Sequence, residues 1–377
     1  MKILIGADLV PTKSNFELFN NADTDALLGK ELKELLNSAD YTIFNLEVPL
    51  ADEETPIEKN GPALLAPGST VKGLKAINPH CFAIANNHIL DQGEKGLFST
   101  MDALKENGIA FFGAGKTQKE AKKAHIFTVG GKTVGVYACV EHEFSVVTDK
   151  TAGANPFDPL ETPDEVAELK KTCDYVTVLY HGGKEHYRYP SPRLRKVCRK
   201  LIDKGADLVI CQHSHCIGAK EEYNGGTIVY GQGNFLFDML QTECWQTGLL
   251  IKLDDDFKIE YIPVVKDKNC VRLADEKQKA EILDGFYKRS EECLSQEFVE
   301  KKYADFAETM KDYYALSLLC RKRTFLFRAL NKITHGRFSK AVIKKRFTKS
   351  DKLKIINFIE CEAHNELLLK GLDTIDK

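Results

Sequence analysis

Gly205-Ala206-Asp207-Leu208-Val209-Ile210-Cys211-Gln212-His213-Ser214-His215 is the stretch that decides the fold. Residues 208–211 form a short, wholly apolar run, the pattern of a strand buried on both faces. Before it, Leu194, Val197, Cys198, Leu201 and Ile202 recur at helical spacing, and residues 227–230 make a further strand pattern after it. Helix and buried strand in alternation indicate an α/β layered domain. The run also ends on two imidazoles. Loops beyond strand ends are where open α/β sheets assemble ligand sites.

The same rhythm reaches back to the N-terminus. Residues 3–5, 41–44, 81–85, 134–138 and 176–179 read as strands, and Leu28, Leu32, Leu35 and Leu36, then Leu97, Met101 and Leu104, as helical stripes. Two pairs of strands follow each other without a helix. Residues 126–129 and 134–138 flank Gly130-Gly131, a hairpin signal, and 249–253 and 259–265 flank Asp254-Asp255-Asp256. The sheet is therefore expected to be mixed. Strand signals thin out after Asp267 and helical patterns dominate from about Gln278. This predicts a catalytic domain over 1–268 and a helical, basic region over 269–377.

Composition narrows the class. The chain has 377 residues, 43% hydrophobic and 29% charged, as in ordinary soluble proteins. A net charge of −2 does not mark the whole chain as a nucleic-acid binder. None of the eleven cysteines pairs as C-x-x-C, and Cys81, Cys139 and Cys211 sit inside apolar runs. That usage reads as buried free thiols in a reducing compartment. The N-terminus runs straight into a strand pattern, and no apolar run approaches membrane-spanning length. A cytoplasmic location is the expectation.

Chemistry-bearing residues cluster where strands stop. They are Asp8; Asn45 and Glu47; Asn87, His88 and Asp91; His181 with Glu185 beyond it; and His213 and His215. Each has an ordinary use alone, as a turn residue, a solvated charge or a satisfied imidazole. Together they place four of the ten histidines at strand exits, with carboxylates and an asparagine. Carboxylate, amide and imidazole are the ligand types of divalent zinc, manganese or iron. In an extended segment His213 and His215 would face the same way; in a tight loop they could reach two adjacent ions.

Read in order, these segments resemble a known family. Gly6-Ala7-Asp8, Asn45-Leu46-Glu47, Asn86-Asn87-His88 with Asp91 and Gly93, His181-Gly182 with Glu185, and the 205–215 stretch are followed by residues 228–238, Ile-Val-Tyr-Gly-Gln-Gly-Asn-Phe-Leu-Phe-Asp. Over about residues 1–240 the chain resembles the CapA-like family, associated with capsule and poly-γ-glutamate synthesis, within the calcineurin-like metallophosphoesterase superfamily. The resemblance implies a four-layer α/β/β/α sandwich with an added helical C-terminal region. It implies one or two divalent ions (Mn²⁺, Zn²⁺ or Fe²⁺). Asp8 and His215 would hold one, Asn87, His181 and His213 the other, with Glu47 bridging. His88 would act without binding metal, as general acid or transition-state stabiliser near Asp91; Asn45 and Asn234 would orient groups, and Glu185 would stand at the rim. The wider superfamily has a histidine two residues after the first aspartate and an aspartate bridge; here those positions are Val10 and Glu47.

The leading functional expectation is metal-assisted hydrolysis of a phosphoester or of an amide or γ-glutamyl bond, in an anionic or peptide-like small molecule or polymer. Metal-assisted epimerisation of a peptide-like substrate and a non-catalytic accessory role in polymer synthesis are the alternatives. At the C-terminal end, residues 321–354 carry thirteen Lys/Arg and one acid, Asp351, interleaved with apolar residues such as Phe325, Leu330 and Ile333. Such helices can cap a domain, frame an entrance for anions, or lie peripherally on an anionic membrane. No nucleic-acid motif accompanies the charge.

Overall fold

The computed structural model describes residues 1–318 and 325–372; of the basic stretch, 321–324 lie outside the described residues. Sixteen strands are described: β1 (Ile3–Val10), β2 (Tyr41–Leu46), β3 (Cys81–Ala83), β4 (Ala110–Phe112), β5 (Ala114–Gly115), β6 (His125–Val129), β7 (Lys132–Val140), β8 (Gly153–Ala154), β9 (Tyr175–His181), β10 (Leu208–Gln212), β11 (Lys220–Tyr223), β12 (Gly226–Val229), β13 (Asn234–Phe237), β14 (Thr247–Leu253), β15 (Ile259–Asp267) and β16 (Cys270–Leu273). Helices α1 (Phe16–Asn20), α2 (Thr24–Asn37), α3 (Val71–Ala76), α4 (Gly93–Glu106), α5 (Gln118–Ala121), α6 (Thr162–Lys170) and α7 (Pro192–Asp203) lie between strands. After β16 come α8 (Glu276–Glu292), α9 (Gln296–Leu318), α10 (Phe325–Ile333), α11 (Arg337–Arg346), α12 (Lys349–Glu360) and α13 (Glu362–Leu372).

One sheet runs β16-β15-β14-β1-β2-β3-β4, with β13 also paired to β1; the other runs β11-β12-β10-β9-β7-β6. Both are mixed. Strands β1, β2, β3 and β4 are parallel, as are β7, β9, β10 and β12, while the β6–β7 and β14–β15 hairpins are antiparallel. Gly130 and Gly131 both take positive φ at the first hairpin, which is why two glycines stand there.

Period-two alternation sends each strand's residues to two different cores. Ile3, Ile5 and Ile43 of the first sheet meet Val136, Leu179, Leu208 and Ile210 of the second in one apolar cluster between the sheets. The intervening Leu4, Leu9 and Phe44 pack outward with Leu28, Leu32 and Leu36 of α2. On the other side, Val176, Val178, Val209 and Cys211 pack with Val166 of α6 and Leu201 of α7. Two sheets face to face, each covered by helices, make the four-layer α/β/β/α sandwich. Burying both faces of every central strand explains their near-continuous apolar sequence.

The chain divides into two compact units, Met1–Tyr303 and Ala304–Lys377, and the first takes in β16 and α8. The second consists of helices. Among the described residues no helix is long and apolar enough to cross a membrane.

Candidate metal centre

The parallel strands of both sheets end at one edge, and the polar residues collect there. Asp8 lies near the end of β1, next in register to Asn45 on β2 and Asn234 on β13. Strand β1 slips register with β2 between Ile5 and Asp8, and with β13 between Asp8 and Leu9, as at a bulge that re-aims a side chain. Glu47 follows β2, Asn86 to His88 follow β3, His181 closes β9, and His213 and His215 follow β10. Gly233, at φ 75°, turns the chain into β13 and so places Asn234. His213 and His215 themselves sit at φ 80° and 53°. A left-handed backbone at a non-glycine residue costs about 1–3 kcal/mol and is found where a side chain's direction matters. The loop is thus tight, and the two rings lie 6.0 Å apart, each in a different donor set.

The geometry is dense. Asn45 Nδ2 donates to Asp8 Oδ1 at 2.8 Å and lies 3.2 Å from His181 Nδ1. The His213 backbone N–H donates to Asp8 Oδ2 at 3.2 Å. His181 Nε2 is 2.9 Å from Asn87 Oδ1 and 3.3 Å from Glu47 Oε1. His215 Nδ1 is 2.9 Å from Asn234 Oδ1 and 3.6 Å from Asp8 Oδ2. The rings of His181 and His213 meet edge to face at 4.9 Å. Asn86 Nδ2 ties the β3 loop to Asn45 Oδ1 at 3.1 Å and to the Leu46 carbonyl at 2.8 Å.

Beside this group stands a second chain of contacts. His88 Nδ1 is 2.6 Å from Asp91 Oδ2, which also accepts from the Leu64 backbone N–H at 2.6 Å. Lys59 pairs with the other Asp91 oxygen, its side chain almost fully buried. A carboxylate so engaged accepts from His88, which puts the neutral ring's proton on Nδ1 and leaves Nε2 to exchange a proton elsewhere.

Two overlapping donor sets have the character of a metal site. Ligand atoms of Glu47, His181 and His213 lie within 4.8 Å of one another, as do those of Asp8, Glu47 and His215. Both Glu47 oxygens and His213 Nδ1 are buried without a hydrogen-bond partner. Buried polar groups are normally satisfied, and an unpartnered carboxylate among imidazoles suits a divalent cation. The protonation states agree with this. Burial holds His181 and His213 well below the usual imidazole range, helped by neighbouring rings, and pushes His215 down to about 3. All three are neutral near pH 7, the form that offers a lone pair. Burial also pushes Asp8 up to about 7, and burial together with the Asp8 charge pushes Glu47 well above the carboxylate range. A bound cation reverses that preference. The residues present therefore fit one or two divalent ions.

The structure brings Asp8, Asn45, Glu47, Asn87, His88, Asp91, His181, His213, His215 and Asn234 to one edge. Glu185, on the loop after β9, is only partly buried, and its charge is felt at Glu47. Val10 lies in the apolar cluster against α2, so nothing polar substitutes from that position. Lys59 is the residue that sequence reasoning missed. It stands in the polar stretch 52–61, where a lysine reads as solvated. Its burial follows from contacts far along the chain: Gln92 Oε1 accepts from Thr55 N at 2.7 Å, and Gln92 Nε2 donates to the Leu64 carbonyl at 2.9 Å. Trp245 was missed too; its ring lies 4.4 Å from that of His215, and its Nε1 donates to His186 Nε2 at 2.8 Å.

Comparison with known proteins bears on the same residues. Residues 4–239 match the family described as Bacterial capsule synthesis protein PGA_cap, which spans every candidate ligand. The chain is 29% identical over 247 residues to the PGA biosynthesis protein CapA of Bacillus subtilis (strain 168), covering 62% of this chain and 63% of that protein. It is 29% identical over 243 residues to the capsule biosynthesis protein CapA of Bacillus anthracis, covering 62% and 59%. The chain thus spans about three fifths of the length of these relatives. A crystal structure described as a novel phosphatase from Mycoplasma pneumoniae superposes with a TM-score of 0.45 at 13% identity, over 71% of this chain and 94% of that one.

Proposed function

The chain belongs to the bacterial capsule synthesis protein PGA_cap family, and from that premise we propose that it is a metal-dependent hydrolase. The observation that carries the reading is Glu47. Its carboxylate is fully buried, has no hydrogen-bond donor on either oxygen, and belongs to both donor sets. Asp8, Glu47 and His215 would hold one cation, and Asn87, His181 and His213, sharing Glu47, a second. When bound, divalent cations acidify water towards neutral pH and polarise a phosphoryl or carbonyl oxygen.

The chain's own residues supply the rest. His88, its Nδ1 proton held by Asp91, takes up a second proton at Nε2 and passes it to a leaving group, a step worth about 10²–10⁴-fold. Asn45 fixes Asp8 and His181 relative to each other, and Asn234 fixes the His215 ring. The left-handed residues of the β10 loop keep both imidazoles aimed before any ligand arrives, so little reorganisation is left for the reaction. The bond cleaved is a phosphoester or an amide of the γ-glutamyl kind, the latter because the two Bacillus relatives are described as PGA and capsule biosynthesis proteins.

The test is hydrolysis of an aryl phosphate and of a γ-glutamyl anilide by Mn²⁺-loaded protein, with His88→Ala in parallel. Cleavage of either that falls at least 100-fold in the variant, with metal content unchanged, supports the assignment. Solvent deuterium entering a peptide-like substrate without cleavage would transfer the same site to epimerisation. A fully loaded protein inert in both respects would leave an accessory role in polymer synthesis.

A further inference from the structure

We propose that the helical pair α10–α11 is a peripheral docking surface for an anionic lipid bilayer. The two helices form a hairpin. His335 and Gly336 take positive φ at its turn, and the Ser339 backbone N–H donates to Asn331 Oδ1 at 3.0 Å. Phe327 and Phe338 close its inner side, their ring centroids 5.2 Å apart. That packing leaves the other apolar side chains of α10 outside. Phe325 is 89% exposed, Leu326 67% and Ile333 73%. At 100° per residue, Phe325, Ile333, Leu326 and Leu330 fall on one arc of about 140°, with Lys332 about 20° and Arg328 about 60° beyond its Phe325 edge. An arc of Phe, Leu and Ile this open to water marks a contact surface and is unlike singly scattered apolar residues.

Charge selects the occupant. Residues 325–350 carry eight Lys/Arg and no acid. Apolar side chains on one arc, flanked by cations that can reach over it, match a layer whose surface is anionic and whose interior is hydrocarbon. A dissolved polyanion would answer the charge and ignore the apolar arc. A second copy of the hairpin would answer the arc and suffer repulsion between two sets of eight cations. Neither α10 nor α11 is long and apolar enough to cross a bilayer, so the contact is interfacial. This inference concerns residues 325–350 alone and stands whether or not the metal centre is catalytic.

The experiment is co-sedimentation of the full chain with vesicles of phosphatidylcholine alone or with 30% phosphatidylserine, a composition chosen for a moderately anionic surface, at low and high salt. Two variants run alongside: Leu326→Gln with Ile333→Gln, which keeps every charge, and Lys344→Gln with Lys345→Gln, which keeps the apolar arc. The wild type is expected to bind anionic vesicles at low salt only. Each lost cation should weaken partitioning about fivefold, hence the charge variant roughly 25-fold, and the apolar variant should weaken at least tenfold. Failure to bind anionic vesicles at low salt, or equal binding by the apolar variant, overturns the proposal. In the second case a polyanion is the better partner. A dimer in sedimentation velocity that the apolar variant abolishes, without vesicle binding, would assign the face to a second copy instead.

Discussion

Replacing Asp8 with asparagine should make the metal-free protein resist alkali better than the wild type. Asp8 is fully buried, and burial raises its carboxyl from an ordinary 3.8 to about 7. A carboxyl raised in the folded state holds its proton more tightly folded than unfolded. Stability therefore falls as pH rises from 3.8 towards 7 and is flat above, once both states are ionised. Three pH units at about 1.4 kcal/mol each make roughly 4 kcal/mol, of which about 3 kcal/mol lies between pH 5 and pH 8. Asparagine has no such proton. It keeps one acceptor for Asn45 or His213 and leaves the other donor poorly paired, at about 1–3 kcal/mol, but that loss is the same at both pH values. The readable quantity is the difference of differences. In urea unfolding with EDTA, wild type should lose about 3 kcal/mol more than Asp8→Asn between pH 5 and pH 8. Added Mn²⁺ or Zn²⁺ should restore the wild type at pH 8 and do little for the variant. Parallel pH curves for the two proteins would refute the reasoning, because Asp8 would then be an ordinary hydrogen-bond hub.

Two further substitutions probe the scaffold. Val10→His should not create a ligand, since the side chain enters the apolar cluster; it should cost about 1–3 kcal/mol in unfolding and leave metal content unchanged by elemental analysis. Glu221→Gln should cost about 3–5 kcal/mol, because it strands buried Arg195, whose Nε and Nη2 each donate to Glu221 at 3.1 Å; a melt shift matching a surface substitution would contradict this.

Much of this was legible in the residues, for a physical reason. His213 and His215 announced themselves because they end a run of four apolar residues, where burial forbids an unemployed imidazole. The parallel strands showed because burial on both faces leaves no polar alternation to confuse them with helices. The choice between extended segment and tight loop for His213 and His215 was not legible, since it depends on φ at residues that only the surrounding β-strands over-determine. Lys59 was invisible for a related reason. Nothing local distinguishes it from its solvated neighbours, and its burial arises from Asp91, Gln92 and Leu64 holding the loop down. The pairing of β13 with β1, which sets Asn234 beside Asp8 across more than two hundred residues of chain, likewise belongs to the assembled sheet.

The most direct measurement is metal stoichiometry by elemental analysis of wild type and of Glu47→Gln, both dialysed after loading with Mn²⁺ or Zn²⁺. One or two ions per chain in wild type, and none retained in Glu47→Gln, is the result expected if the orphaned carboxylate is shared by two donor sets. No ion in the loaded wild type, or an undiminished complement in Glu47→Gln, would contradict the metal centre itself.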